Sequence, residues 1–132
     1  MAHKLLLVDD EKDTVETLAR RLTKEGYEVV TAFDGEDALR QVAAEDPDIV
    51  LLDLMMPKLN GFEVLREIRE KYNTKWRPVV IISGTGDLDA VKKSYTMDAD
   101  HYLAKPCNIE QVLTAVRTMV SLIPLRIQGV QP

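Results

Sequence analysis

Ile49-Val50-Leu51-Leu52-Asp53 is an unbroken apolar run that stops at an acid. Four apolar residues without polar alternation describe a strand covered on both faces, as in the middle of a parallel sheet. The pattern recurs on both sides of it. Leu5-Leu6-Leu7-Val8 ends at Asp9-Asp10, Val79-Val80-Ile81-Ile82 ends at Ser83, and Tyr102-Leu103-Ala104 ends at Lys105. Tyr27 to Ala32 reads as one more strand, and His101 starts the last. Between these runs lie segments of helical period, so strands and helices alternate. The first helix puts Val15, Leu18, Ala19 and Leu22 on one face and ends at Gly26; the second carries Ala38, Leu39, Val42 and Ala43. The third, after the loop Leu54 to Gly61, buries Phe62, Leu65 and Ile68. The fourth, capped by Asp87, offers only Leu88, Val91 and Tyr95 as a core face. Asn108 caps a last helix with Ile109, Val112, Leu113, Val116, Met119 and Val120 at helical spacing.

Five such units predict an α/β fold: a flavodoxin-like, doubly wound (βα)5 three-layer sandwich with a parallel sheet in the order 2-1-3-4-5. Residues 1–123 form the expected domain, and 124–132 a C-terminal tail or the start of a linker. A chain of 132 residues can bury a proper core as one domain. Its net charge of −5 argues against a nucleic-acid backbone as partner. No stretch is long and apolar enough to span a bilayer, and Met1-Ala2-His3-Lys4 leads straight into a strand, too short for a signal-peptide core. The lone Cys107 cannot form an internal disulfide, which fits a reducing cytoplasm. The charge runs Arg66-Glu67, Arg69-Glu70-Lys71 and Lys92-Lys93 read as solvated helix faces.

In an open α/β sheet the ligand crevice lies outside the carboxyl ends of the strands, at the switch between strands 1 and 3. Those strands end in Asp9-Asp10 and Asp53. Three clustered carboxylates repel one another unless a cation neutralises them. A hard divalent ion, Mg²⁺ or Mn²⁺, suits an oxygen set of this kind. Lys105 adds a point charge for a phosphoryl oxygen or for Asp53, and Ser83 adds a hydroxyl. Asp53 is then placed for in-line attack, giving an aspartyl phosphate.

At these residues the chain resembles the receiver domain of two-component response regulators, the superfamily typified by CheY. The resemblance runs from residue 4 to about 122 and rests on Leu7-Val8-Asp9-Asp10-Glu11, Asp53-Leu54-Met55-Met56-Pro57 with Gly61, Ser83-Gly84, and Tyr102-Leu103-Ala104-Lys105-Pro106. It implies that Asp9, Asp10, Asp53 and the main-chain carbonyl of Met55 hold the metal, and that Asp53 accepts phosphate from a phosphohistidine. It implies further that Ser83 and Lys105 bind the phosphoryl group, that the Lys105-Pro106 bond is cis, and that Ser83 and Tyr102 move together as a switch. The implied partners are a sensor histidine kinase or a histidine phosphotransfer protein. A homodimer would form through the face of helix 4, strand 5 and helix 5, with no nucleic acid or membrane bound directly. The expected role is that of a phosphoacceptor, not of an enzyme beyond its own phosphotransfer and dephosphorylation. Output would come as a stand-alone receiver or as the regulatory domain of a longer regulator.

Three positions depart from the family pattern. Cys107 replaces a usual phenylalanine and reads as a small buried hydrophobe, with a reactive thiol as the alternative. Asp98 replaces a usual glycine. Met55 and Thr85 occupy the positions that tune hydrolysis, and neither orients water well, so a long-lived phosphoryl state is expected. A phosphatase of the haloacid dehalogenase type would need a second aspartate where Met55 stands, and a flavodoxin-type electron carrier would not place Asp9-Asp10-Glu11 against an FMN phosphate.

Overall fold

The computed structural model describes residues 3–56, 59–84 and 88–127. Five strands, β1 (Lys4–Val8), β2 (Glu28–Ala32), β3 (Ile49–Leu52), β4 (Val79–Ser83) and β5 (His101–Ala104), pair in parallel in the order β2-β1-β3-β4-β5. They alternate with α1 (Lys12–Lys24), α2 (Gly35–Glu45), α3 (Gly61–Lys71), α4 (Leu88–Thr96) and α5 (Ile109–Ile127). This is the flavodoxin-like arrangement expected from the alternating runs.

Strand side chains alternate between two cores. Leu6, Val8, Val50, Leu52, Val79 and Ile81 face Ala38, Val42, Val64, Leu65 and Ile68 of α2 and α3. Leu5, Leu7, Ile49, Leu51, Val80 and Ile82 face Val15 and Leu22 of α1 and Val112, Leu113, Val116 and Met119 of α5. Burial on both sides explains why the central strands carry no polar residue until their last position.

Helix starts follow local chemistry. Asp34 accepts the Asp37 N–H at 2.8 Å, and Asn60 accepts the Glu63 N–H at 3.1 Å. Asn108 and Gln111 cap each other reciprocally, at 2.9 and 2.8 Å, opening α5 with a capping box. Gly26, just past α1, has φ +101°, the left-handed conformation that glycine tolerates.

Several expectations are corrected. Leu88 and Tyr95 of α4 stand 62% and 45% exposed while Val91 is half-buried, so two of the three expected core residues do not dock; Ser94 is its buried side chain. Ala43 is exposed, leaving α2 a narrower apolar face than its spacing suggests. The last helix runs through Pro124 to Ile127. A proline inside a helix forfeits one N–H bond and crowds the preceding turn, yet this helix continues past it. Arg69 is not part of a solvated face, its side chain being only 19% exposed. The readings of Pro57, Thr85 and Asp87 fall outside the described residues, as does the tail beyond Ile127.

Candidate functional site

Parallel pairing in register brings the strand ends together. The Asp53 N–H donates to the Val8 carbonyl at 3.0 Å, and the Asp9 N–H to Ala32 at 3.2 Å, which aligns the ends of β1, β2 and β3. On the other side the Lys105 N–H donates to the Ser83 carbonyl at 2.7 Å, aligning β4 and β5. The side chains at these ends converge. Carboxylate oxygens of Asp9, Asp10 and Asp53 all lie within 4.8 Å of one another, the cluster of metal-capable groups among the described residues. Asp9 and Asp53 are buried, at 4% and 6% exposure, while Asp10 is exposed.

Lys105 reaches into this cluster from the fifth strand. Its Nζ donates to Asp9 Oδ2 at 2.7 Å and approaches Asp53 Oδ2 at 3.4 Å. Two main-chain donors add to the neutralisation. The Glu11 N–H donates to Asp9 Oδ1 at 3.0 Å, and the Met55 N–H to Asp53 Oδ1 at 3.1 Å. Burial pushes the Asp53 carboxyl above its ordinary value; the Met55 N–H and Lys105 pull it down and Asp9 pushes it up, with a net upward result. Burial would lower Lys105, but the hydrogen bond to Asp9 and the charges of Asp53 and Asp9 outweigh it and hold the ammonium above the usual lysine value. An all-oxygen set with one exposed acid and two buried ones is suited to a hard divalent cation that keeps some of its water.

Ser83 is fully buried at the end of β4, next to the strand that delivers Lys105. Tyr102, paired with Ile81 in the β4–β5 register, packs half-buried against the α2–α3 core. Met55 is 68% exposed beside the acids. The Lys105-Pro106 bond is cis. Burial pushes the Cys107 thiol up, partly opposed by Lys105, and the side chain packs against the α1–α5 core. It therefore behaves as a small apolar group with little thiolate character.

Gly61 supports the site from below. Its N–H donates to the Leu54 carbonyl at 3.0 Å, and a Cβ there would lie 2.5 Å from the Asp53 carbonyl oxygen and from Leu54 Cα. Only the absence of a side chain lets α3 begin so close under the strand that carries Asp53. Its place eight residues after Asp53 was visible in the chain; the close approach that requires glycine was not.

At the opposite end of the sheet lies a second polar assembly that periodicity does not reveal. Arg77, 2% exposed, donates to Asp46 Oδ1 at 2.8 Å and to the Pro47 carbonyl at 2.6 Å. Lys75 binds Asp48 Oδ1 at 3.1 Å, and Asp48 Oδ2 accepts the Lys4 N–H at 2.8 Å. These contacts anchor the strand beginnings and leave the strand ends to the acids.

Residues 5–117 match the family described as the response regulator receiver domain. Among solved structures, the chemotaxis protein CheY4 of Vibrio cholerae is 28% identical with a TM-score of 0.84, over 90% of this chain and 99% of that one. A putative response regulator from Chloroflexus aurantiacus J-10-fl is 31% identical with a TM-score of 0.84, over 92% and 99%. NtrX from Brucella abortus is 30% identical with a TM-score of 0.88, over 98% of this chain and 29% of that longer one. With a match over most of its length and the acid cluster at the expected strand ends, the chain belongs to the response regulator receiver domain family of two-component signalling.

Proposed function

We propose that the protein is a phosphoacceptor whose Asp53 takes a phosphoryl group from a phosphohistidine on a sensor kinase or phosphotransfer protein. The observation that carries this reading is the convergence of three carboxylates within 4.8 Å, with the Lys105 ammonium 2.7 and 3.4 Å from two of them. In the transfer, an Asp53 oxygen forms a bond to phosphorus as the phosphorus–nitrogen bond breaks, its electron pair returning to the imidazole. Asp9, Asp10, Asp53 and the Met55 carbonyl would hold Mg²⁺ or Mn²⁺, which supplies positive charge against the phosphoryl oxygens. Lys105 offers a second cation from the other side, and Ser83 a hydroxyl once it turns out of its buried position. This is self-phosphorylation of a signalling domain, without turnover of an external substrate.

An open groove of about 880 Å³ runs beside the site between α1 and the start of α5, lined by Leu18, Ile82, Lys105, Pro106, Cys107 and Ile109 among others. Lys105 lines it and also approaches Asp53 Oδ2 at 3.4 Å, so the groove adjoins the site and offers a seat for a phosphohistidine protein. Output goes through α4, β5 and α5. Leu88 and Tyr95 lie seven residues apart on α4 and give that face an exposed apolar patch, which a second copy covers in a homodimer. Ser83 and Tyr102, on adjacent strands, link the site to this face. The single unpaired cysteine is in keeping with a cytoplasmic protein, and no described helix is long and apolar enough to cross a membrane.

The test is intact mass after incubation with acetyl phosphate and Mg²⁺, with Asp53→Asn as control. One phosphoryl adduct on the wild type and none on the variant is expected. An unlabelled wild type, or equal labelling of the variant, overturns the reading.

A further inference from the structure

The fourth helix is attached mainly at one end. From Leu88 to Lys93 no side chain of α4 is buried. Ser94 is fully buried, Ala99 just beyond the helix is 7% exposed, and Met97 packs against the α2–α3 core. Lys93 stands over the Phe62 ring, 4.4 Å from its centre. The turn that follows is closed by main-chain bonds, Asp98 N–H to Tyr95 at 3.0 Å, Ala99 N–H to Ser94 at 2.9 Å and Asp100 N–H to Val79 at 2.9 Å, and is gripped from α3 by one guanidinium. Arg69 donates from Nε and Nη2 to the Asp98 carbonyl at 3.0 and 2.8 Å, from Nη2 to Asp100 Oδ2 at 2.7 Å, and from Nη1 to the Arg77 carbonyl at 2.7 Å. Asp100 Oδ2 also accepts the Val79 N–H at 2.8 Å, so the clamp includes the beginning of β4. Asp98 has φ +66°, a left-handed conformation that a non-glycine residue adopts at a cost, and its carbonyl is the group that Arg69 grips with two donors.

We propose that Arg69 makes the C-terminal end of α4 a fixed pivot, so that the helix responds to the site as a lever whose mobile end is Leu88. A planar fork holding three acceptors from two other segments is stiff in a way that a lysine or a lone ion pair is not. The N-terminal half, with no buried anchor, is the part free to change its position when the end of β4 is displaced. The clamp stands on these contacts alone; its use as a pivot rests on the phosphoacceptor reading above.

Hydrogen–deuterium exchange on the full chain tests both parts, with Mg²⁺ and beryllofluoride as the phosphoryl mimic. In the wild type the mimic should change exchange over residues 88–93 and leave 97–100 unchanged. In Arg69→Gln, without the mimic, the amides of Asp98, Ala99 and Asp100 should exchange roughly tenfold faster, because the turn opens locally. Arg69→Lys should fall between. Should Arg69→Gln fail to fold by circular dichroism, Asp100→Asn keeps the acceptor for Val79 and removes the ion pair, and must show the same loss to a smaller degree. Unchanged protection at 98–100 in a folded Arg69→Gln overturns the clamp. A mimic response at 97–100 as large as that at 88–93 in the wild type overturns the pivot. No response anywhere in the wild type overturns the phosphoacceptor reading and the lever with it, while Arg69→Gln alone still decides the clamp.

Discussion

Burial of Asp53 works against its charged form, and stability should depend on pH accordingly. Its carboxyl is raised above the ordinary value, with burial as the main cause. Between the ordinary and the raised value the folded state therefore binds more protons than the unfolded one, and stability falls as pH rises through that window. Asp53→Asn removes the penalty. The variant should melt close to the wild type near pH 4 and above it near pH 7. Adding Mg²⁺ should narrow the gap by stabilising only the wild type. A gap that is largest at acid pH would contradict the assignment. The comparison must be between the two proteins at each pH, because other acids act in the opposite sense. Asp46 is lowered chiefly by its hydrogen bond to Arg77. Burial pushes Asp48 up, but the Lys4 N–H and Lys75 bring it below its ordinary value. Their contributions are lost from both proteins as pH falls.

Helix α3 shows how an element can tune the site without touching its chemistry. Gly61→Ala places a methyl 2.5 Å from the Asp53 carbonyl oxygen, so the peptide after Asp53 or the start of α3 must shift. The expected cost is about 1–3 kcal/mol, with less phosphoryl uptake per folded molecule. Unchanged melting together with unchanged labelling by intact mass would refute the close-approach argument. Elements with one apolar stripe were legible in the chain, as α1, α3 and α5 show, because burial imposes a period. The orientation of α4 was not: Leu88 and Tyr95 point outward, Val91 is only half-buried, and the buried side chain is Ser94, followed by a turn clamped from another helix. Nor was Arg69 legible. Its partners Asp98 and Asp100 lie 29 and 31 residues away, and nothing in the run Arg69-Glu70-Lys71 distinguishes an arginine that reaches inward from its solvated neighbours.

For the whole molecule, the parallel sheet separates two ends with different duties. Strand ends hold the acids, and strand beginnings hold the Arg77 and Lys75 network. Trp76 precedes β4 and is separated from the acids by a strand of five residues, about 16 Å long. Its fluorescence should therefore change little on titration with Mg²⁺, and strong quenching on metal addition would contradict this placement. The placement of the acids was legible because apolar runs that stop at polar residues report both the sheet and its active edge. The opposite end was not, since its polar groups pair across segments distant in sequence. The ion pair between Lys105 and Asp9 joins residues 96 positions apart. During synthesis, Asp9 and Asp10 just past β1 and Asp53 just past β3 leave the ribosome long before the lysine that balances them. A nascent chain ending before β5 thus carries the carboxylates without their counter-charge. On the phosphoacceptor reading the balancing lysine arrives only with the final strand, so labelling of Asp53 would also report that β5 has joined the sheet.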